Sequence, residues 1–370
     1  MSTLANILDG LTKEAELYER LEDGSVRCYA CAHHCLIREG KRGICQVRFN
    51  QGGQLRAPWG YVAALQSDPI EKKPFFHLLP GANALTFGML GCDFHCDYCQ
   101  NWLTSQALRD PASDMSVQLV RRITPEQMLA AAQRTNAAVM VSSYNEPLIT
   151  SEWAVDIFKL AKAAGLRCAF VSNGNATPEA LEYLRPYLDA YKIDLKSMQD
   201  KNYRQLGGVR QHVLDSIQKA HGLGLWVEVV TLVVPGFNDS TEELWDAARF
   251  LAGVSPDIPW HVTAFHKDYQ MTEPDNTPAS TLLRASEIGR EAGLRYVYAG
   301  NLPGRVDEYE STACPHCNHR LVRRAGYVIT EYHLTAEGNC PRCGTKIAGL
   351  WPDDPHGVKL GGFGLPRPVY

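Results

Sequence analysis

The run Gly91-Cys92-Asp93-Phe94-His95-Cys96-Asp97-Tyr98-Cys99-Gln100 puts three thiols on one short loop with the spacing C-x3-C-x2-C. It follows an apolar run, Ala84 to Leu90, that reads as a buried strand. Three thiolates can hold three irons of a cubane cluster and leave the fourth iron without a protein ligand. An open metal position is where chemistry takes place, as a catalytic zinc keeps a free site while a structural zinc is closed. The competing reading is a zinc knuckle whose fourth ligand comes from elsewhere in the chain.

Twelve cysteines are many for a chain of 370 residues, and eleven of them fall in three clusters. Besides the central loop these are Cys28, Cys31, Cys35 and Cys45, and Cys314, Cys317, Cys340 and Cys343. The start of the chain lacks a basic segment followed by an apolar one, so no signal peptide is expected. No run approaches the roughly 18 to 20 apolar residues of a membrane helix. A cytoplasmic protein with no membrane partner follows, and in a reducing compartment C-x2-C pairs favour metal over disulfide. Cys168, alone in the run Cys168-Ala169-Phe170-Val171, reads as a core residue. A net charge of −4 leaves no global basic field for nucleic acid, although a local patch, and so nucleic acid as a partner, stays open.

The length suits one large α/β domain with small additions. From Ala84 onward apolar strands alternate with helices. Strands are expected at Ala138–Val141, Cys168–Val171, Tyr191–Leu195, Trp226–Val234, Val262–Phe265 and Tyr296–Tyr298. Thr124-Pro125-Glu126, Thr177-Pro178-Glu179 and Thr277-Pro278 each set an N-cap before a first-turn proline. Alternation with near-continuous apolar strands argues a parallel sheet covered by helices. Leu4, Ile7, Leu8 and Leu11 suit an amphipathic helix running from about Thr3 to Arg20. Residues 46–82 read as irregular strands and loops. Gly207-Gly208 and Gly222–Gly224 read as turns, because no phosphate-loop pattern surrounds them.

Several motifs fall at or just after the predicted strand ends, where α/β sheets and barrels build sites. They are Tyr144-Asn145-Glu146-Pro147, Ser172-Asn173-Gly174, Asp194-Leu195-Lys196, and His261 to His266. With Cys99-Gln100-Asn101-Trp102, Val233-Val234-Pro235-Gly236, Tyr298-Ala299-Gly300-Asn301, the upstream run Asp68-Pro69-Ile70-Glu71-Lys72-Lys73-Pro74 and His77, they cover nearly the whole chain. Together they resemble the pyruvate formate-lyase activating enzyme branch of radical S-adenosylmethionine (SAM) proteins, and more closely the AmmeMemoRadiSam system radical SAM enzymes. The resemblance implies a partial (β/α) TIM-like barrel over residues 83–305. Small metal-binding modules would flank it at 1–82 and 306–351, with an extended tail at 352–370. Cys92, Cys96 and Cys99 would hold a [4Fe–4S] cluster whose open iron chelates SAM. The Tyr98 backbone would meet the adenine, Glu146 the amino group, and Ser172, Asn173, Asp194, Lys196 and His266 other parts of SAM. By the two-residue period of an extended strand, Asp194 and Lys196 should point the same way.

Cys314-x2-Cys317 and Cys340-x2-Cys343 resemble a zinc ribbon or rubredoxin-like pair. Four thiolates close a tetrahedral site for zinc or iron. Cys28-x2-Cys31-x3-Cys35-x9-Cys45, with His33 and His34 inside it, matches neither knuckle spacing. Zinc is the first expectation there, and a second iron–sulfur cluster is the alternative.

The activity implied is reductive cleavage of SAM to a 5′-deoxyadenosyl radical that takes hydrogen from a substrate, with an external electron donor such as flavodoxin or ferredoxin. The substrate is a protein glycine, as in glycyl-radical activation, or a small molecule, nucleotide or RNA base. The opposing reading is a non-enzymatic zinc-ribbon scaffold. The mouth of a partial barrel needs shielding, and Asp68–His77 and the tail segment Gly361-Gly362-Phe363-Gly364 are expected to contribute to a lid.

Overall fold

The computed structural model of the chain describes residues 3–362 and 364–369; Phe363 and Tyr370 of the tail, and Met1 and Ser2 at the start, lie outside the described residues. Seven parallel strands form the centre: β1 Asn83–Gly88, β2 Ala137–Ser142, β3 Arg167–Ser172, β4 Ala190–Asp194, β5 Trp226–Val233, β6 Trp260–Ala264 and β7 Val297–Gly300. Each strand pairs with the next in sequence, so the winding never reverses. That order is the one a barrel uses, and a doubly wound sheet would show a switch point. β7 is one free edge of the sheet, so hydrogen bonds do not close the barrel.

Two further strands join antiparallel beyond β1. Ala64–Pro69 pairs with β1, and Arg367–Pro368 from the tail pairs with Ala64–Pro69. Residues 46–82 therefore contribute to the main sheet as well as to loops.

Helices between the strands start where the caps predict. Thr124 and Gln127 form a reciprocal capping box at Pro125–Arg134, and Thr177 caps Pro178–Leu184. Thr277 behaves differently. Its buried hydroxyl donates to Val233 O at 2.6 Å and accepts from Phe265 N at 3.0 Å, and the helix begins at Ala279 without a side-chain cap. Tying two strand ends together outweighs capping there. The expected helix from Thr3 to Arg20 stops at Asp9, with Gly10 as its C-cap. Leu11 still packs in the core, but Thr12–Glu14 pairs antiparallel with Gln54–Pro58, and pairing overrides the local helical period.

The inside of the barrel is filled from below. Ile70, Phe75 and Leu78 pack on the inner residues Ala84, Val139, Val141, Ala169 and Ala190. The segment after Pro69 is thus a plug that makes the floor of the barrel. The C-terminal module, strands Thr312–Ala313, Arg320–Ala325 and Val328–Tyr332, packs Leu321, Val322, Ile329 and Ile347 against Phe76, Tyr296 and Tyr298, beside the free β7 edge. The tail crosses over: Gly361 N donates to Ile329 O at 2.8 Å, and Val369 N to Leu65 O at 3.1 Å.

Candidate active site

The cysteine loop leaves the C-terminal end of β1 and turns at Gly91, whose φ of +96° is in the left-handed region. A Cβ there would also lie 2.8 Å from Val47, so glycine is required twice over. The loop is seated on Gly207-Gly208. A Cβ on Gly207 would stand 2.4 Å from the His95 ring, and one on Gly208 2.3 Å from the Phe94 ring. His95 N donates to Leu206 O at 3.0 Å. These glycines sit in a turn, as expected, and the turn is the surface against which the loop is shaped.

Donors are aimed at the thiols. Phe94 N lies 3.4 Å from Cys92 Sγ, Asn173 Nδ2 3.9 Å from the same sulfur, and Ser105 Oγ 3.1 Å from Cys99 Sγ. Burial pushes the Cys96 thiol up to about 12, with Lys196 opposing the rise. Burial thus favours the protonated form of all three thiols, and metal binding must release protons.

Beyond the loop lies a cavity of about 400 Å³, lined by Cys92, Cys96, Cys99 and the C-terminal ends of the strands. Glu146, after β2, is buried. Its Oε1 accepts from Ser172 Oγ at 2.7 Å and Leu148 N at 3.0 Å, and its Oε2 from Asn173 N at 2.8 Å. Burial, with the buried Asp93 carboxyl adding to it, pushes Glu146 up to about 8. Asp194 and Lys196 meet as the strand period predicts, with Nζ 3.2 Å from Oδ2. Lys192, two residues earlier on the same face, bonds the other oxygen of Asp194. Burial alone would raise Asp194, but the two ammonium groups hold it at about 2.

The floor is a buried polar network. The Glu228 carboxylate accepts from Phe76 N at 3.0 Å, His77 N at 2.9 Å, Trp226 Nε1 at 3.0 Å and His261 Nε2 at 2.7 Å. His77 Nδ1 lies 2.6 Å from Ala348 O, which can only accept, so the proton is on Nδ1. Nε2 then accepts from Tyr298 OH at 2.6 Å. Having given its one proton, Tyr298 accepts from Thr312 Oγ1 at 2.8 Å. Arg324 closes the chain, donating to Thr312 Oγ1 and Phe76 O, both at 2.8 Å. Above the network, Lys73 bonds Asp68 at 2.8 Å and Tyr144 OH at 3.0 Å.

Most of the residues expected to meet SAM come together around this one cavity: Tyr98, Glu146, Ser172, Asn173, Asp194 and Lys196. Asn173 turns its side chain toward the loop, donating to Asp93 Oδ1 at 2.7 Å. His266 is not in the cavity wall. It is exposed at the rim, where the Gln100 amide donates to its Nε2 at 2.9 Å. The segment Asp68–His77, expected in a lid, supplies Glu71, Lys73 and Phe76 to the wall from the floor side. Sequence reasoning missed Asp93, Asn175 and Lys192. Asp93 is fully buried, bound also by Asn175 Nδ2 at 2.8 Å. A charged residue inside a cysteine loop was the available signal for it.

The C-terminal thiols are gathered differently. Cys314 and Cys343 stand 3.6 Å apart, as do Cys317 and Cys340, and all four Sγ atoms lie within 4.8 Å of one another. Zn–S bonds of about 2.3 Å in a tetrahedron need sulfurs roughly 3.8 Å apart, so this set fits a single ion.

A family model described as the radical SAM superfamily matches residues 87–251. An uncharacterized protein of Methanocaldococcus jannaschii is 37% identical over 338 residues, 90% of this chain and 98% of that one. The pyruvate formate-lyase-activating enzyme of Clostridium pasteurianum is 25% identical over 197 residues, 51% of this chain and 79% of that one. A solved domain of the pyruvate-formate lyase-activating enzyme from Bacteroides vulgatus aligns with a TM-score of 0.39 at 21% identity, over 44% of this chain and 98% of that one. The chain belongs to the radical SAM superfamily. Within it the chain is similar to glycyl-radical activating enzymes, and it matches the archaeal protein along almost its whole length. Among the described residues no helix is long and apolar enough to cross a membrane.

Proposed function

We propose that the chain is a radical SAM enzyme of the AmmeMemoRadiSam system type, acting in the manner of an activating enzyme on a protein substrate. The observation that carries this is the convergence of Cys92, Cys96, Cys99, Glu146, Asp194 and Lys196 on one cavity. The residues fit the group: three thiols with donors aimed at two of them, and a carboxylate wall beside them. A bound [4Fe–4S] cluster with SAM supplies one-electron reductive cleavage and hydrogen abstraction.

The chain's own residues bind and orient. Glu146 is held by Ser172, Asn173 and Leu148 and accepts from an amino N–H with its remaining lone pairs. Asp194, kept ionised by Lys192 and Lys196, presents a fixed charge to a ribose or amino group. The plug seals the floor against water, which a reactive primary radical requires. Residues 83–305 form the catalytic core in this reading, with 1–82, 306–351 and 352–370 added to it. The working compartment is the cytoplasm, where a flavodoxin or ferredoxin supplies the electron; all twelve cysteines are free thiols. Superfamily membership speaks against the scaffold reading, because its members are enzymes.

The test is anaerobic protein under reduction. Wild type should be brown, change spectrum on adding SAM, and form 5′-deoxyadenosine. Changing Cys92, Cys96 and Cys99 to Ala should abolish that product, and a triple variant that still cleaves SAM would sink the assignment. A glycyl radical signal on a co-purifying protein is the expected sign of the activating role.

A further inference from the structure

We propose that Cys28, Cys31, Cys35 and Cys45 hold an iron–sulfur cluster of more than one iron, set against the back of the Cys92–Cys99 loop, in place of the single zinc ion first expected. The proposal stands apart from SAM cleavage, since none of these residues lines the SAM cavity.

The fold brings the four cysteines into one region. Val26–Cys28 and Leu36–Ile37 pair as a hairpin, and Cys28 N donates to Cys35 O at 3.0 Å. Cys31 lies in the connecting turn. The turn at Gly43–Gln46 brings Cys45 alongside, with Ile44 N 3.5 Å from Cys35 Sγ. Cys28, Cys31 and Cys45 are buried and Cys35 is half-buried. Yet they are not drawn together as the C-terminal four are. Among the described residues only Cys314, Cys317, Cys340 and Cys343 bring three or more ligand atoms within 4.8 Å of one another. One ion needs its four sulfurs that close. A cluster takes thiolates on different irons, so they stand further apart.

A second observation points into the same space. Arg48 is 1% exposed, and its Nη atoms are taken by Glu152, at 2.9 and 2.6 Å, and by Ile149 O at 3.1 Å. Its Nε has no partner among the described residues. The guanidinium lies beside Cys28 and Cys45. A buried N–H needs an acceptor, and the Cys28 sulfur beside it is the one at hand, so the guanidinium is aimed at the ligand set.

The surroundings join the two metal regions. Ala32 N donates to Asn175 O at 2.8 Å and Thr177 Oγ1 to Tyr29 O at 2.6 Å. His33 Nε2 reaches Asp93 O at 3.3 Å. Arg109 bridges Ile44 O at 2.8 Å and Cys92 O at 3.1 Å.

Acid-labile sulfide decides the question, because a lone zinc or iron in four thiolates carries none. The full chain with C92A, C96A and C99A, purified anaerobically, should keep two or four irons per chain beyond the C-terminal ion, with as much sulfide, the two compositions that four cysteines hold. Adding C31S and C45S should remove that sulfide while one ion stays at the C-terminal site. Wild type, read in parallel so that the result does not hang on the variant's folding, should carry about six or eight irons beyond the C-terminal ion, with equal sulfide. Two zinc ions with no sulfide in the triple variant, no metal beyond the C-terminal ion, or only about four irons beyond that ion in wild type would each overturn the proposal. SAM cleavage by wild type reports separately on the proposed function.

Discussion

Glu146 carries one charge decision. Burial, with the Asp93 carboxyl beside it, pushes its carboxyl up to about 8, which favours the protonated form at neutral pH. A carboxylate that accepts from an amino N–H does so best when ionised, so binding should release a proton. SAM affinity of the cluster-loaded enzyme is expected to rise with pH, by up to about tenfold per unit, as Glu146 ionises. Calorimetry from pH 6 to 9 reads this directly. Glu146→Gln should bind at least about tenfold more weakly and lose the slope; a slope that survives assigns the proton to another group. Gly208 carries a steric decision. Gly208→Ala drives a methyl into the Phe94 ring, and should cost about 1–3 kcal/mol and lower the iron held by the loop. Gly222→Ala is the control, because nothing lies within 4 Å of its Cβ position. Equal iron and stability in the two variants would mean the loop does not rest on that glycine.

At the scale of elements, the plug and the strands above it are joined through His77, Glu228, Tyr298 and Arg324. Burial lowers His77 to about 4, against about 6.5 for an exposed imidazole. Between those values the unfolded chain binds the proton and the folded chain does not. Stability from His77 is therefore complete above pH 6.5 and is lost as the pH falls toward 4. Between pH 7 and 5.5 the loss should be about 1 kcal/mol, measured by denaturant unfolding. His77→Gln should flatten that part of the profile, and an unchanged profile would clear His77 of the effect. The location of this segment was not legible in sequence. Asp68–His77 is a recognisable run, but its bonds go to residues about 150 to 270 positions away, such as Glu228 and Ala348. A lid and a floor made of the same residues look alike until the strands curve around them.

At the scale of the molecule, the added modules brace the open barrel. The ribbon covers Tyr296, Tyr298 and Phe76, and Arg324 reaches from it into the floor. Cys314→Ser should lose the C-terminal ion, expose residues 306–351 to protease and lower Tm, while iron at the central loop is retained. A module that resists protease without metal would count against a structural role. The tail adds Arg367–Pro368 to the sheet and borders a groove of about 900 Å³ that shares Glu71 and Tyr327 with the cavity beside the cysteine loop. Removing residues 352–370 should open that side, lower Tm and raise 5′-deoxyadenosine formed without substrate turnover. Unchanged uncoupled cleavage would leave the tail as edge cover alone.

What the sequence by itself determined is what acts over a few residues. The C-x3-C-x2-C loop is contiguous, so its ligand set needs no tertiary contact to be read. Asp194 and Lys196 share a face because an extended strand repeats every two residues. Thr124 and Thr177 start helices because capping is a bond across three residues. The tertiary structure alone decided which distant groups meet. It turned Asn173 to Asp93, added Lys192 to the Asp194 pair, left His266 at the rim and made Thr277 a strand clamp rather than a cap. It also gathered four C-terminal sulfurs tightly and kept the N-terminal four apart, a difference that cysteine spacing along the chain does not encode. The physical reason is common to all of these. Local periodicity and capping set each element, but the curvature of a nine-stranded sheet and the plug inside it set the distances between elements.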